Sequence, residues 1–154
     1  MNLGGSLEQY NKFNIALEYL DVASNLFLSG HNYFSCLHLA GAAEDIIGKY
    51  CSSVEIKSEF IKYKESAIAW QSKVDPSLSV KDALNNFNYP KNTIKHFDLN
   101  RENDAQVTLN IKYEAESMLR RAYNNLENLD MLECTPSSLV KVIELTTIWI
   151  ESDS

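Results

Sequence analysis

Glycine and proline are scarce in this chain, five and three among 154 residues, and apolar residues recur at three and four positions rather than two, the period of helices and not of strands. No apolar run approaches the 18 or so residues of a membrane span, which excludes a membrane role. Cysteine is rare too. The three present, Cys36, Cys51 and Cys134, are odd in number and show neither CxxC pairing nor a histidine at zinc-finger spacing, so they read as buried thiols. Positive charge also falls short: 14 Lys and Arg against 21 Asp and Glu give a net charge of -7 and a pI near 4.9. Such a surface repels nucleic acid in general, so no DNA partner is expected and any RNA contact must be local. Residues 1–6 lack the basic region and apolar segment of a signal peptide, which predicts a cytoplasmic location.

What is present is ordinary for a globular protein, 45% hydrophobic and 23% charged. The length fits one domain, 1–154, and allows burial of roughly 68–70% of the unfolded surface. Internal repeats, low-complexity tracts and a candidate second domain are all missing from the sequence.

Helix boundaries follow from capping residues and periodicity. Ser6, with Gln9 three positions on, predicts the start of a first helix whose stripe is Leu7, Tyr10, Phe13, Leu17, Leu20, Ala23 and Phe27, ending at Gly30. A second helix spans about 31–51, with bulk removed at Ala40, Gly41, Ala42, Ala43 and Gly48. Two glycines inside a helix cost about 1 kcal/mol each against alanine, so another helix must approach closely there. This is the expected central helix. Glu44 lies on its stripe with Leu37, Ala40, Gly41, Ile47, Gly48 and Cys51, an arrangement that is costly unless something pairs with the acid.

A weaker third helix covers about 55–70, and the linker 71–79 ends at Ser79, a cap for a fourth helix with Asp82 in its first turn. Pro90 removes a backbone donor and biases Tyr89 away from helical angles, which predicts a kink or restart with Pro90 in a new first turn. Residues 98–110 have no period and read as a loop. The stripe Ile111, Ala115, Met118, Leu119, Ala122, Leu126 and Leu129 predicts a core helix, and Thr135-Pro136 opens a last helix, about 137–150. That last segment is apolar on nearly every side, which suits either simple burial or a homodimer interface. The sum is a single all-α up-and-down bundle of five to six helices.

Residues fit for chemistry concentrate between Tyr89 and Phe97. Asn92 and His96 are four apart and predict one shared helix face, with Lys95 beside it and Lys91 roughly 140° round from His96. A helix start at Pro90 would offer free N–H groups, so Lys91 and that terminus could together hold a phosphate. Imidazole, with an ordinary pKa of about 6.5, suits His96 to give and take protons. Glu44 has two readings: it sets the His96 tautomer from across the helix face, or it satisfies a lysine or a helix end, and the second is preferred. His31 and His38 have no partner at useful spacing and read as satisfied or surface histidines. Glu44 and His96 lack the third protein ligand of a catalytic zinc, so no metal and no cofactor are expected.

The hexamer Lys91-Asn92-Thr93-Ile94-Lys95-His96 resembles the signature of the HEPN superfamily, all-helical domains of prokaryotic toxin–antitoxin and defence systems that share an Arg, a following polar residue and a His about five positions on. The segments 39–49 (Leu-Ala-Gly-Ala-Ala-Glu-Asp-Ile-Ile-Gly-Lys) and 114–122 (Glu-Ala-Glu-Ser-Met-Leu-Arg-Arg-Ala) are similar to an uncharacterised prokaryotic HEPN-like group, and the likeness covers roughly residues 7 to 130. It implies a homodimer that cleaves RNA without metal, with His96 as general acid or base, Asn92 orienting substrate or His96, and Lys91 as the cation at the phosphate. Lys95 and Glu44 stand beside these as substrate-binding candidates. Lys91 departs from the superfamily Arg, keeping its charge but not its bidentate fork. Two further readings stand beside the endoribonuclease: a catalytically inactive interaction or regulatory domain, and nucleotide chemistry with a partner nucleotidyltransferase. An antitoxin is the other partner the resemblance implies.

Overall fold

The computed structural model describes residues 7–96 and 106–152, the side chains of 148–152 excepted. Among the described residues the protein is an all-α bundle of six helices: α1 (Lys12–Leu28), α2 (Tyr33–Ser53), α3 (Glu59–Lys73), α4 (Val80–Thr93), α5 (Ile111–Asn128) and α6 (Ser137–Ser152). α2 is the helix on which the others assemble. Its apolar stripe, Cys36, Leu37, Ala40, Ala43, Ile47 and Cys51, is wholly buried, and it packs mainly on α1 and α5. The small residues at 40, 41 and 43 let those neighbours approach on several sides, which is how one helix can be central. Leu20 and Ala23 of α1, Met118, Leu119 and Leu126 of α5, and Leu139 and Val142 of α6 complete the same core.

Local capping decides where each helix begins. α1 starts later than the periodicity predicts, because Asn11 caps it: its side-chain oxygen accepts the Phe13 N–H at 2.8 Å. Leu7 and Tyr10 therefore precede the helix and are exposed, and Ser6 lies outside the described residues. Gly30 does close this turn, at a φ of 76° that a side chain would strain. α3 begins at Glu59 rather than near Glu55, since Ser58 is its cap and Glu55 occupies the preceding turn at φ 60°. The first N–H of α3 is also tied to the core, for Glu59 donates to the buried Asn125 Oδ1 of α5 at 2.7 Å. Ser79 caps α4 as predicted, accepting from Asp82 N–H at 3.2 Å.

Pro90 corrects the expected break. α4 runs unbroken through it to Thr93. An interior proline costs about 3 kcal/mol by removing a hydrogen bond and crowding the preceding turn, but here only the last turn must tolerate it, and that turn is held on α2 by the buried Pro90 and Lys91. There is consequently no helix start at Pro90 and no set of free N–H groups there.

Burial also ranks the thiols. Cys36 and Cys51 are fully buried and Cys134 is partly exposed; burial pushes the Cys36 thiol up to about 12 and is the largest cause raising Cys51. The thiolate is the reactive form. A colorimetric thiol titration of native protein should therefore find one fast equivalent, at Cys134, and the other two only on unfolding. Three fast equivalents without denaturant would contradict this core.

Candidate functional site

Two clusters lie where α2 meets the end of α4, and they divide the residues that the sequence grouped together. The first is a buried charge network. Glu44, 2% exposed in the middle of α2, uses its two carboxylate oxygens on different cations. Lys91 Nζ lies 2.7 Å from Oε2, and Arg121 Nη2 of α5 lies 3.0 Å from Oε1. Lys91 also pairs with Asp45. Arg121 donates further to the Phe87 carbonyl at 3.0 Å and to Asn88 Oδ1 at 3.2 Å, and its guanidinium sits 3.7 Å over the Phe87 ring. Phe87 in turn stacks on Tyr63 of α3 at 4.2 Å. Two acids and two bases make a neutral cluster that joins four helices, and each buried charge has a charged partner, the condition under which burial is tolerable.

Gly41 makes the cluster possible. A Cβ there would meet Lys91 Cβ at 3.1 Å, so the absent side chain is the space through which the lysine stem passes. The ammonium of Lys91, a residue 4% exposed, is thereby directed inward and paired with two carboxylates. In these contacts the ammonium meets two carboxylates, whereas the sequence reading placed it at a phosphate, and Lys91 lines a second, smaller cleft of about 230 Å³ instead of the larger one described below. Glu44 likewise satisfies a lysine and an arginine, and it lines the same smaller cleft as Lys91.

The second cluster is an open cleft of about 760 Å³ between the first half of α2 and the segment that follows α4. His96, exposed, lines it from beyond the helix end, for α4 stops at Thr93 with Ile94 as its cap. The single Asn92–His96 helix face is therefore not formed, and Asn92 is exposed and does not line the cleft. Lys95 does line it; its ammonium is 3.9 Å from Asp45 Oδ2, an ion pair longer than a hydrogen bond. His38, read from sequence as a lone histidine, lines the same cleft from α2 with Ser35 and Phe34.

Arg121 and His38 are the residues that sequence reasoning passed over. Arg121 had a signal: it falls three residues after Met118 and four before Asn125 on the core stripe of α5, where a cation needs a buried acid as much as Glu44 needs a base. His38 had none, because the other histidine lining its cleft is 58 positions away in the chain. Among the described residues no group of three or more His, Cys, Asp or Glu is placed to hold a metal ion, and no helix is long and apolar enough to cross a membrane. Comparison with models of known protein families, with curated proteins and with solved structures gives no match.

Proposed function

We propose that this protein is a HEPN-like, metal-independent endoribonuclease of a prokaryotic defence, toxin–antitoxin or stress system, acting in the α2–α4 cleft with His96 as proton carrier and Lys95 as the cation at the phosphate. The observation that carries this reading is the cleft itself, which brings an exposed imidazole and an ammonium together in a cavity within the ~300–1,000 Å³ range of ligand sites. A base at the 2′-hydroxyl lets that oxygen attack the adjacent phosphorus, and a nearby cation stabilises the extra negative charge of the transition state. The acidic surface keeps such contact local. A homodimer forms part of the proposal, supported by the exposed Val140 and Leu145 on α6.

Incubation of purified protein with several structured RNAs in EDTA tests the reading. Wild type should cleave, leaving cyclic phosphate ends, and His96→Ala should lose about 10²–10⁴-fold in rate, the usual worth of a general acid or base. Cleavage by neither protein would sink the ribonuclease. Sedimentation of the same samples at micromolar concentration tests the dimer, a monomer mass counting against it. A second reading, a regulatory domain that keeps the fold without the chemistry, has one observation in its favour: Lys91 is committed to Glu44 and Asp45. Its partner would be an antitoxin or a nucleotidyltransferase, and RNA left intact beside a stable complex with such a partner is the result that would favour it.

A further inference from the structure

His38 and His96 lie far apart in the chain and on the walls of one cleft. The two helices that lead to them meet at one close contact. His38 is three residues, about one turn, before Gly41 on α2, and His96 is five residues after Lys91; Gly41 and Lys91 are the point where α2 and α4 touch, and the Lys91–Glu44 pair locks it. The buried network thus fixes how α2 meets the last turn of α4, and His96 follows three residues after that turn ends. Preorganisation of this kind is what acid–base catalysis requires of its support.

Resting on the ribonuclease reading above, we infer that His38 and His96 of one subunit form a two-imidazole site for a single RNA phosphodiester, one acting as base and the other as acid. The neutral imidazole removes the 2′-hydroxyl proton and the 2′-oxygen forms a bond to phosphorus. The bond from phosphorus to the 5′-oxygen breaks, and the protonated imidazole delivers its proton to that oxygen. The products are a 2′,3′-cyclic phosphate and a 5′-hydroxyl, the two imidazoles have exchanged protonation states, and water resets them. Among the described residues lining the cleft, Lys95 is the cation, with Asp45 3.9 Å behind it. A second observation points to a nucleotide: Phe34, one turn before His38 and 53% exposed, also lines the cleft and offers a ring on which an unpaired base can stack. Unpaired RNA is therefore the substrate class.

Two measurements on the full chain test this. Cleavage of single-stranded RNA in EDTA, followed across the range in which imidazole titrates, should give a bell-shaped profile for wild type, and His38→Ala should lose at least 100-fold with one limb of the bell. His38 is exposed on a helix surface, so the variant should melt with wild type. Independently, a 2′-deoxy dinucleotide, which cannot be cleaved by this route, should shift the imidazole resonances of both His38 and His96 in wild type and leave His31 unmoved. Loss of activity in His96→Ala with full rate and both limbs kept in His38→Ala would overturn the inference alone. So would a shift of His96 without His38. Shifts of both with no cleavage would uphold the paired site and overturn the ribonuclease; no shift of either would overturn both. Activity restored by mixing His38→Ala with His96→Ala would show that the two imidazoles come from different subunits, against the single-chain assignment.

Discussion

Glu44→Ala should lower the free energy of unfolding by about 3–5 kcal/mol, the range for removing one member of a buried ion pair. The carboxylate is the node of the cluster, with one oxygen on Lys91 and the other on Arg121. Its removal leaves two buried cations at once. Arg121 keeps the Phe87 carbonyl, Asn88 and the Phe87 ring, and Lys91 keeps only Asp45, whose side chain is half in solvent. Lys91→Met should cost less, because Glu44 retains Arg121 and Asp45 returns to water. Urea denaturation of the two variants checks the order. A Glu44→Ala protein within about 1 kcal/mol of wild type would mean that the cluster is no stronger than an exposed pair.

Gly41→Leu should be destabilising by about 3 kcal/mol, and Gly48→Ala stabilising by up to about 1 kcal/mol, although both put a better helix former into the same helix. The difference is what lies opposite. A Cβ at 41 would already crowd the Cβ of Lys91, at 3.1 Å, and that atom is fixed to the α4 backbone on one side and to a buried ion pair on the other. Leucine adds three further carbons in the same direction, so α4 must move away and take Lys91 from Glu44. At 48 the nearest atoms, Asn125 Nδ2 and Ser58 Cβ, are 3.6 Å away, an ordinary contact. Hydrogen exchange should show α4 losing protection in Gly41→Leu while α5 keeps its own. Equal stability of Gly41→Leu and wild type would show that the close approach of α2 and α4 is not required.

The expected helices follow from signals that reach only a few residues along the chain. Ser79 caps α4 because its hydroxyl and the Asp82 N–H are neighbours in any helix that starts there, and the α5 stripe is buried because its 3.6-residue period places those side chains on one face. Of the misses, one is local and one is not. Asn11 caps α1 five residues after the predicted start, and Pro90 is tolerated because burial on α2, which is not a local property, holds the last turn of α4.

The site was legible only in part. That Glu44 must have a partner could be read from its place on an apolar stripe, since the cost of burying a charge belongs to the residue and its immediate surroundings. Which cations answer it, Lys91 and Arg121, depends on the rotation and register of three helices, and periodicity carries no information about either. Lys91 and His96 stand five residues apart and read as one motif, yet the end of α4 lies between them and turns one inward and the other to the cleft. By itself the sequence determined an all-α bundle, a central small-residue helix and an acid in need of a base. Only the tertiary structure decided that Lys91 and Arg121 supply the base and that His38 and His96 line one cleft, because contacts between helices are chosen by packing across the core and not by spacing along the chain.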